Sequence, residues 1–389
     1  MPTAASTLPT DRERALLVGR VFVPAVSGAV LVAVRGDDLV DASAVAPTSS
    51  MLANLDDPVA ALRRAASLPS IGKLHDVLAN SDEATRDPGK PWLLAPCDLQ
   101  AVKAAGVTFV ASMLERVIEE QARGDPAKAE SVRHVIVGII GDNLSSVKPG
   151  SPEAARLKDA LIAQNAWSQY LEVGIGPDAE IFTKSQPMSA VGTGAAIGIH
   201  PKSEWNNPEP EIVLVVGAHG RTVGATLGND VNLRDFEGRS ALLLGKAKDN
   251  NASCAIGPFI RLFDDHFTID DVRRCDLAMR VEGPDGFTMD GASAIGMISR
   301  DPLDLVSQTI GPNHQYPDGF VLFLGTMFAP TKDRHGPGQG FTHVVGDVVS
   351  VSTPRLGTLV NRVDTSDQIA PWTLGAGELM RSLARRGVL

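Results

Sequence analysis

Residues 206–235 read NNPEPEIVLVVGAHGRTVGATLGNDVNLRD, and this stretch decides the fold. Glu209 and Glu211 stand two apart at the mouth of the apolar, β-branched run 212–216. Side chains alternate across a strand, so both carboxylates project from one face. The run then meets Ala218-His219-Gly220-Arg221, which reads as a two-residue hairpin turn centred on His219 and Gly220. If Ala218 pairs with Arg221, counting back along both strands sets Glu209 opposite Asp230. The hairpin then gathers Glu209, Glu211 and Asp230 at one end of a sheet. Three carboxylates that close repel one another unless one takes up a proton or a cation neutralises them. An all-oxygen cluster suits Mg²⁺, Mn²⁺ or Ca²⁺ rather than zinc. Acids at a solvated strand end are the plainer alternative.

Downstream of about residue 181, strand-like runs at 211–216, 222–227, 319–324 and 347–351 are separated by Gly, Pro and Asn. Helical periodicity returns only at 301–309 and 378–386. Upstream the texture is mixed. Val110, Met113, Leu114, Val117 and Ile118 recur at the spacing of one helix face, so 106–122 is predicted as an amphipathic helix. A strand is expected at 132–140 and a second helix at 153–170, while the run 21–34, broken by Pro24 and Gly28, reads as a buried strand pair. The fold class is therefore α+β. We expect a smaller N-terminal α+β domain over 1–175 that contributes to a cleft, then a β-rich, metal-binding domain over 176–389.

The 389 residues are 43% apolar and 21% charged, enough for a buried core. Lys and Arg number 36 against 46 Asp and Glu, a net charge of −10 that argues against nucleic acid or an anionic membrane as partner. Cys97, Cys254 and Cys275 form no Cys-x-x-Cys pair and suit a reducing cytoplasm. Charges from Asp11 to Arg14 fall where a signal peptide needs apolar residues, and no apolar run reaches the roughly 20 residues of a membrane span. A soluble cytoplasmic protein is expected.

Glu-Pro-Glu with its apolar strand, followed by Gly-Asn-Asp-Val-Asn-Leu-Arg-Asp, resembles the metal-binding core of the fumarylacetoacetate hydrolase superfamily. Lys248 six residues before Cys-Ala-Ile-Gly-Pro, Gly325-Thr326, Gly346-Asp347 and Gly357-Thr-Leu-Val-Asn-Arg362 come in the order that family carries similar segments. The resemblance covers about 181–363 and is greatest to the bacterial sugar-acid branch. It implies dehydration of a 2-keto-3-deoxy-pentonate to 2,5-dioxopentanoate on one Mg²⁺, with Mn²⁺ as a substitute, in a homodimer or homotetramer. Hydrolysis of a carbon–carbon bond in a 2,4-diketo acid is the rival chemistry, and a catalytically silent metabolite-binding protein is the rival class.

Glu209, Glu211 and Asp230 are the implied metal ligands. Lys248 is the implied catalytic lysine, with a pKa expected to fall toward neutrality near a bound metal and other cations; Lys246 is its competitor through a Lys-x-x-Asp match to Asp249. Arg234 matches the family arginine that contacts substrate oxyanions and is counted as catalytic and substrate-binding. Gly325 and Thr326 are expected to offer an N–H and a hydroxyl to the substrate carboxylate, although the loop lacks the family's proline. Lys184 is expected on the substrate side. Glu237 stands where the hydrolases carry an amide and is a further candidate substrate contact. Thr108 and Glu115 align with an Asp and a His that activate water in the hydrolases. With no His nearby, Glu115 becomes a second acid/base candidate, and dehydration is favoured over hydrolysis. Gly192-Thr-Gly194 lacks dinucleotide-loop context, His219 merely fills the turn, 336–340 reads as a mobile surface loop, and no Gly-x-Ser-x-Gly elbow is present.

Overall fold

The computed structural model describes all residues except 1–3, 66, 124, 126–127, 129–146, 164–166, 331, 338 and 389. The strand expected at 132–140 lies outside the described residues. Two sheets dominate the fold. The larger has eleven strands, ordered Ser70–Lys73, Asp38–Asp41, Gly28–Arg35, Leu17–Val23, Cys254–Leu262, Thr222–Asp230, Pro210–Val216, Phe320–Phe323, Ala101–Gly106 and Glu180–Ser185, with Trp92–Leu94 paired beside Leu17–Val23. The smaller is ordered Thr288–Ala294, Asp276–Glu282, Val348–Thr353, Gly357–Thr365 and Ala196–Ile199. The chain is α+β, with a large, mainly β unit and a smaller N-terminal region. Residues on both sides of 175 share the eleven-stranded sheet, because Leu17–Val23 pairs with Cys254–Leu262 and Ala101–Gly106 runs parallel to Phe320–Phe323.

Pro210–Val216 shows why the central hairpin reads as unbroken apolar sequence. Ile212, Leu214 and Val216 pack with Met279, Val281, Val349 and Val351 of the smaller sheet. Val213 and Val215, on the other face, pack with Leu31, Leu52, Val102 and Ile260. Both faces are covered, so alternation separates two cores rather than core from water.

The hairpin register from Pro210↔Asn229 to Val215↔Gly224 is the expected one, and the Asp230 amide donates to the Glu209 carbonyl at 3.0 Å. The turn itself is corrected. Gly217, not Ala218, pairs with Arg221 (N–H to carbonyl 2.9 Å), and the one-residue difference is cancelled by a bulge that leaves Val223 unpaired between Thr222 and Gly224. The cause is docking: the Ala218 amide donates to Asn54 Oδ1 at 2.7 Å, and Arg221 donates to the carbonyls of Leu55 and Asp56.

Helices fall near their expected places, at Val110–Ala122, Pro302–Thr309 and Ala376–Arg386. The helix expected at 153–170 is two, Pro152–Ala163 and Gln169–Ile175, the second capped by Ser168. No helix among the described residues is long and apolar enough to cross a membrane.

A long crossover leads from Phe320–Phe323 to Val348–Thr353 and is braced by buried charge. Arg334 holds both oxygens of Asp347 at 2.7 Å, and His343 Nδ1 lies 2.9 Å from Asp347 Oδ2. Burial pushes the Asp347 carboxyl up, but His343 and Arg334 outweigh it and bring it down to about 2. Burial also holds His343 below its ordinary value, neutral in the fold. Both groups are depressed, so both contribute stability that is lost on acidification: Asp347 between its unfolded value of 3.8 and about 2, and His343 from about 6.5 downward. Unfolding free energy measured by urea titration should therefore fall as pH drops from about 4 to about 2, and Asp347→Asn should flatten that limb. Equal slopes in the two proteins would refute the brace.

Candidate active site

The open end of the hairpin faces a cleft of about 540 Å³. Ligating oxygens of Glu209, Glu211 and Asp230 lie within 4.8 Å of one another, and all three residues are buried. Lys248 Nζ sits between two of them, 2.5 Å from Glu209 Oε2 and 3.0 Å from Asp230 Oδ2. Its backbone is fixed from behind. Lys248 ends the short helix Leu244–Lys248, and its carbonyl accepts from Ser253 Oγ at 2.7 Å and from Lys184. Six residues on, Cys254 pairs with Asp230 across the sheet. That spacing returns the lysine to the carboxylates, whereas Lys246 is exposed above Phe236 and does not line the cleft.

Burial alone would lower the Lys248 pKa, but Asp230, Glu209 and Glu237 hold it above the ordinary lysine value. With no cation between them, the surrounding carboxylates hold this ammonium charged. Asp230 responds in kind, pushed up by burial but brought below its ordinary value by Lys184 and Lys248. Glu211 differs. Its Oε2 accepts the Gly325 amide at 2.6 Å, and no lysine or arginine among the described residues lies within ion-pair distance. Burial, then repulsion from Asp230 and Glu209, raise its pKa well above the ordinary value.

The helix Val110–Ala122 supplies a second charged layer that the sequence alone did not reveal. Arg116 reaches Glu209 Oε1 at 2.6 Å, Glu119 Oε2 at 2.8 Å and Glu237 Oε2 at 3.0 Å. Arg234 lies 4.2 Å above the Trp205 ring, donates to Glu119 at 2.6 Å, and is 3.5 Å from Glu115. Glu115, Glu237, Gly325 and Thr326 all line the cleft. Thr326 Oγ1 accepts the Phe328 amide at 3.1 Å, leaving its hydroxyl hydrogen to donate. Thr108 donates to the Leu324 carbonyl at 2.7 Å, a structural tie rather than a cleft residue. Lys184, expected on the substrate side, is corrected to an interior position: it is fully buried, is not part of the cleft wall, and holds Asp230 Oδ1 at 3.0 Å and the Val231 carbonyl at 3.1 Å.

Glu180 is the other residue that sequence reasoning missed. It opens the strand Glu180–Ser185 opposite Gly106, and a Cβ on Gly106 would lie 2.0 Å from its Oε2, so that glycine makes room for the carboxyl. Burial and then Glu237 push the Glu180 carboxyl up to about 7. The signals were faint: Ser112, Glu115, Arg116 and Glu119 form a polar stripe at helical spacing on the border of an apolar face, and Glu180 directly precedes an apolar run.

Among the described residues, seven carboxylates line the cleft: Glu115, Glu119, Glu180, Glu209, Glu211, Asp230 and Glu237. Four cations face them, counting Lys184 behind Asp230. The oxygen-only donors and this surplus of negative charge fit a hard divalent cation held by Glu209, Glu211 and Asp230. No histidine lines the cleft among the described residues.

Gly325 adopts φ of 88°, and a Cβ there would lie 2.0 Å from Thr108 Oγ1. Gly325→Ala should therefore cost more than about 1 kcal/mol and lower the thermal midpoint of the metal-free protein. An unchanged midpoint would contradict the crowding.

The family described as fumarylacetoacetate (FAA) hydrolase C-terminal matches residues 162–364. A Haloferax volcanii protein described as a "Probable 2-keto-3-deoxyxylonate dehydratase" is 30% identical over 270 residues, covering 69% of this chain and 87% of that protein. The Saccharolobus solfataricus 2-dehydro-3-deoxy-D-arabinonate dehydratase is 30% identical over 184 residues, covering 47% and 58%. Among solved structures, a 2-keto-3-deoxy-D-arabinonate dehydratase complexed with magnesium and 2,5-dioxopentanoate has a TM-score of 0.59 at 20% identity, over 90% of this chain and 99% of that one. A fumarylacetoacetate hydrolase from psychrophilic Exiguobacterium antarcticum has a TM-score of 0.53 at 17% identity, over 90% and 100%. The chain belongs to the fumarylacetoacetate hydrolase family.

Proposed function

We propose that this member of the fumarylacetoacetate hydrolase family is a hydro-lyase that converts a 2-keto-3-deoxy-pentonate to 2,5-dioxopentanoate with Mg²⁺, or Mn²⁺ in its place. The observation that carries the reading is the meeting of Glu209, Glu211 and Asp230 beside Lys248 in a cleft lined by no histidine among the described residues. The two curated relatives, named for xylonate- and arabinonate-derived substrates, support the substrate class.

A cation held by Glu209, Glu211 and Asp230 would supply Lewis acidity to a 2-keto acid, which would make its C3 proton more acidic. The chain's own residues must move the protons. Glu180 is half-buried in the cleft wall with a pKa near neutrality, suited to take a proton and give it back. Lys248 stays charged and steadies negative charge developing on the substrate. Thr326 offers its hydroxyl to the substrate carboxylate. Arg234 is engaged by Glu119 and Glu115, so it acts by positioning those acids at the cleft wall. The proton lost from C3 and the hydroxide lost from C4 leave together as water. The unsaturated acid then tautomerises through C5 to the aldehyde.

Purified protein, Mg²⁺ and a 2-keto-3-deoxy-pentonate should yield a product lighter by one water, and chelator should suppress the reaction. Pyruvate released from a 2,4-diketo acid, with no such dehydration, would overturn the chemistry while keeping the scaffold. Binding without turnover would overturn the enzyme reading.

Glu211→Gln should lower Mg²⁺-dependent turnover by more than the roughly 10–100-fold seen when an outer-shell partner is lost. Glu180→Gln should reduce kcat by about 10²–10⁴-fold with Mg²⁺ affinity by calorimetry nearly intact. Unchanged kcat in Glu180→Gln would remove it from the mechanism.

A further inference from the structure

Every cation in the wall of the carboxylate cleft is already committed to carboxylates of the chain itself. Three cationic residues line it among the described residues: Arg116, Arg234 and Lys248. Arg116 is divided among Glu209, Glu119 and Glu237 at 2.6, 2.8 and 3.0 Å. Arg234 is held between the Trp205 ring at 4.2 Å and Glu119 at 2.6 Å, with Glu115 at 3.5 Å. Lys248 joins Glu209 to Asp230 at 2.5 and 3.0 Å. The rest of the wall brings no substitute. Its loop 325–330 lines the cleft with Gly325, Thr326, Phe328, Ala329 and Pro330, none of them charged.

Taken at its least negative, with Glu180 and Glu237 as carboxylic acids, the cleft still carries five carboxylates: Glu115, Glu119, Glu209, Glu211 and Asp230. The three lining cations and Lys184 behind Asp230 supply four positive charges. A divalent cation on the three ligands and a single carboxylate on the substrate bring that balance to zero. A second anionic group on the same substrate finds no counter-charge left. It meets carboxylates instead, in a wall poor in water, where like charges repel strongly. A hydroxyl meets the opposite case, because a carboxylate accepts its hydrogen in a charge-assisted bond. Glu115 is the acid that such a group reaches first. It keeps 12% of its side chain exposed, against 7% or less for Glu119, Glu209, Asp230 and Glu237.

On the reading of this cleft as a 2-keto acid site, on which the inference rests, we propose that it selects by charge at the far end of the substrate. It takes 2-keto acids whose tail is uncharged and hydroxylated, and it rejects those that carry a second carboxylate or a phosphate. Glu115 is the specificity-determining residue. Selection of this kind works by repulsion of the wrong ligand rather than by added contacts to the right one. A cleft with a spare arginine would do the reverse, since a bound divalent cation by itself draws a doubly charged acid more strongly than a singly charged one.

The test compares two five-carbon probes, 2-oxopentanoate and 2-oxoglutarate, which differ in the second carboxylate. Each is titrated by calorimetry into the full-length protein in excess Mg²⁺, so the readout is affinity and needs no turnover. We expect 2-oxopentanoate to bind at least tenfold more tightly. Glu115→Gln should narrow that gap at least threefold. Ser112→Lys, which places a new cation in the same wall one helical turn from Glu115, should also tighten 2-oxoglutarate at least threefold. Equal affinities in the unaltered protein, or tighter binding of 2-oxoglutarate, overturn the selection by charge. A gap that neither variant narrows overturns the role of Glu115. Binding of neither acid overturns the 2-keto acid reading and this inference with it. The expected gap in a protein that dehydrates no 2-keto-3-deoxy-pentonate upholds the inference and overturns only the hydro-lyase reading.

Discussion

Three carboxylates buried within 4.8 Å of one another are the constraint around which the rest of the site is arranged. Left uncompensated, such a cluster would expel itself from the interior or take up protons. The fold answers with cations drawn from separate parts of the chain: Arg116 from the N-terminal helix, Lys184 from the strand that begins at Glu180, and Lys248 from beyond the hairpin. Each is itself buried or nearly so, so neither partner is tolerable alone. Removing one member of a buried pair costs about 3–5 kcal/mol because the other charge is stranded. Electrostatics thereby ties distant segments to one hairpin end.

That compensation stops one charge short. Among the described residues, Glu209 and Asp230 are each flanked by two cations, whereas Glu211 has only the Gly325 amide within hydrogen-bond distance. The Glu211 carboxyl is raised accordingly. Gly325 can make that contact because its φ of 88° turns the amide into the cleft. The same loop carries Thr326 and Phe328 to the cleft wall, so the ligand end of the hairpin and the substrate-facing loop are set by one backbone turn.

Much of this was legible because strand periodicity is a local code. Glu209, Glu211 and Asp230 could be placed on one face from alternation and a count back from the turn. The count survived an error in the turn because the bulge at Val223 restored the register that Gly217 had shifted. The illegible part was long-range. Arg116 and Glu119 look like the polar flank of any amphipathic helix until Glu209 is brought beside them, and Glu180 looks like the solvated start of a strand until Glu237 faces it. Lys184 was misplaced for a related reason. Its alternation in Glu180–Ser185 gives a face but not its cover, and the cover is the Lys248 turn. Sequence texture likewise separated 1–175 from 176–389, while the strands of both parts interleave in one sheet.

The proton inventory bears on which chemistry such a scaffold performs. Hydrolytic carbon–carbon cleavage needs a base that holds and activates a water, a duty that a carboxylate can serve as an imidazole can. Loss of a hydroxyl needs the reverse: a group that carries a proton at neutral pH and can recover one from carbon. In the proposed dehydration, Glu180, pushed to about 7 by burial and then by Glu237, is the group suited to that requirement. Lys248 does not compete for the role, because the carboxylates that gather around it keep it charged. One electrostatic arrangement thus separates two duties, a fixed positive charge at the carboxylate cluster and a titratable carboxyl across the cleft. Burial, and after it the charge of Glu237, lifts Glu180 toward neutrality.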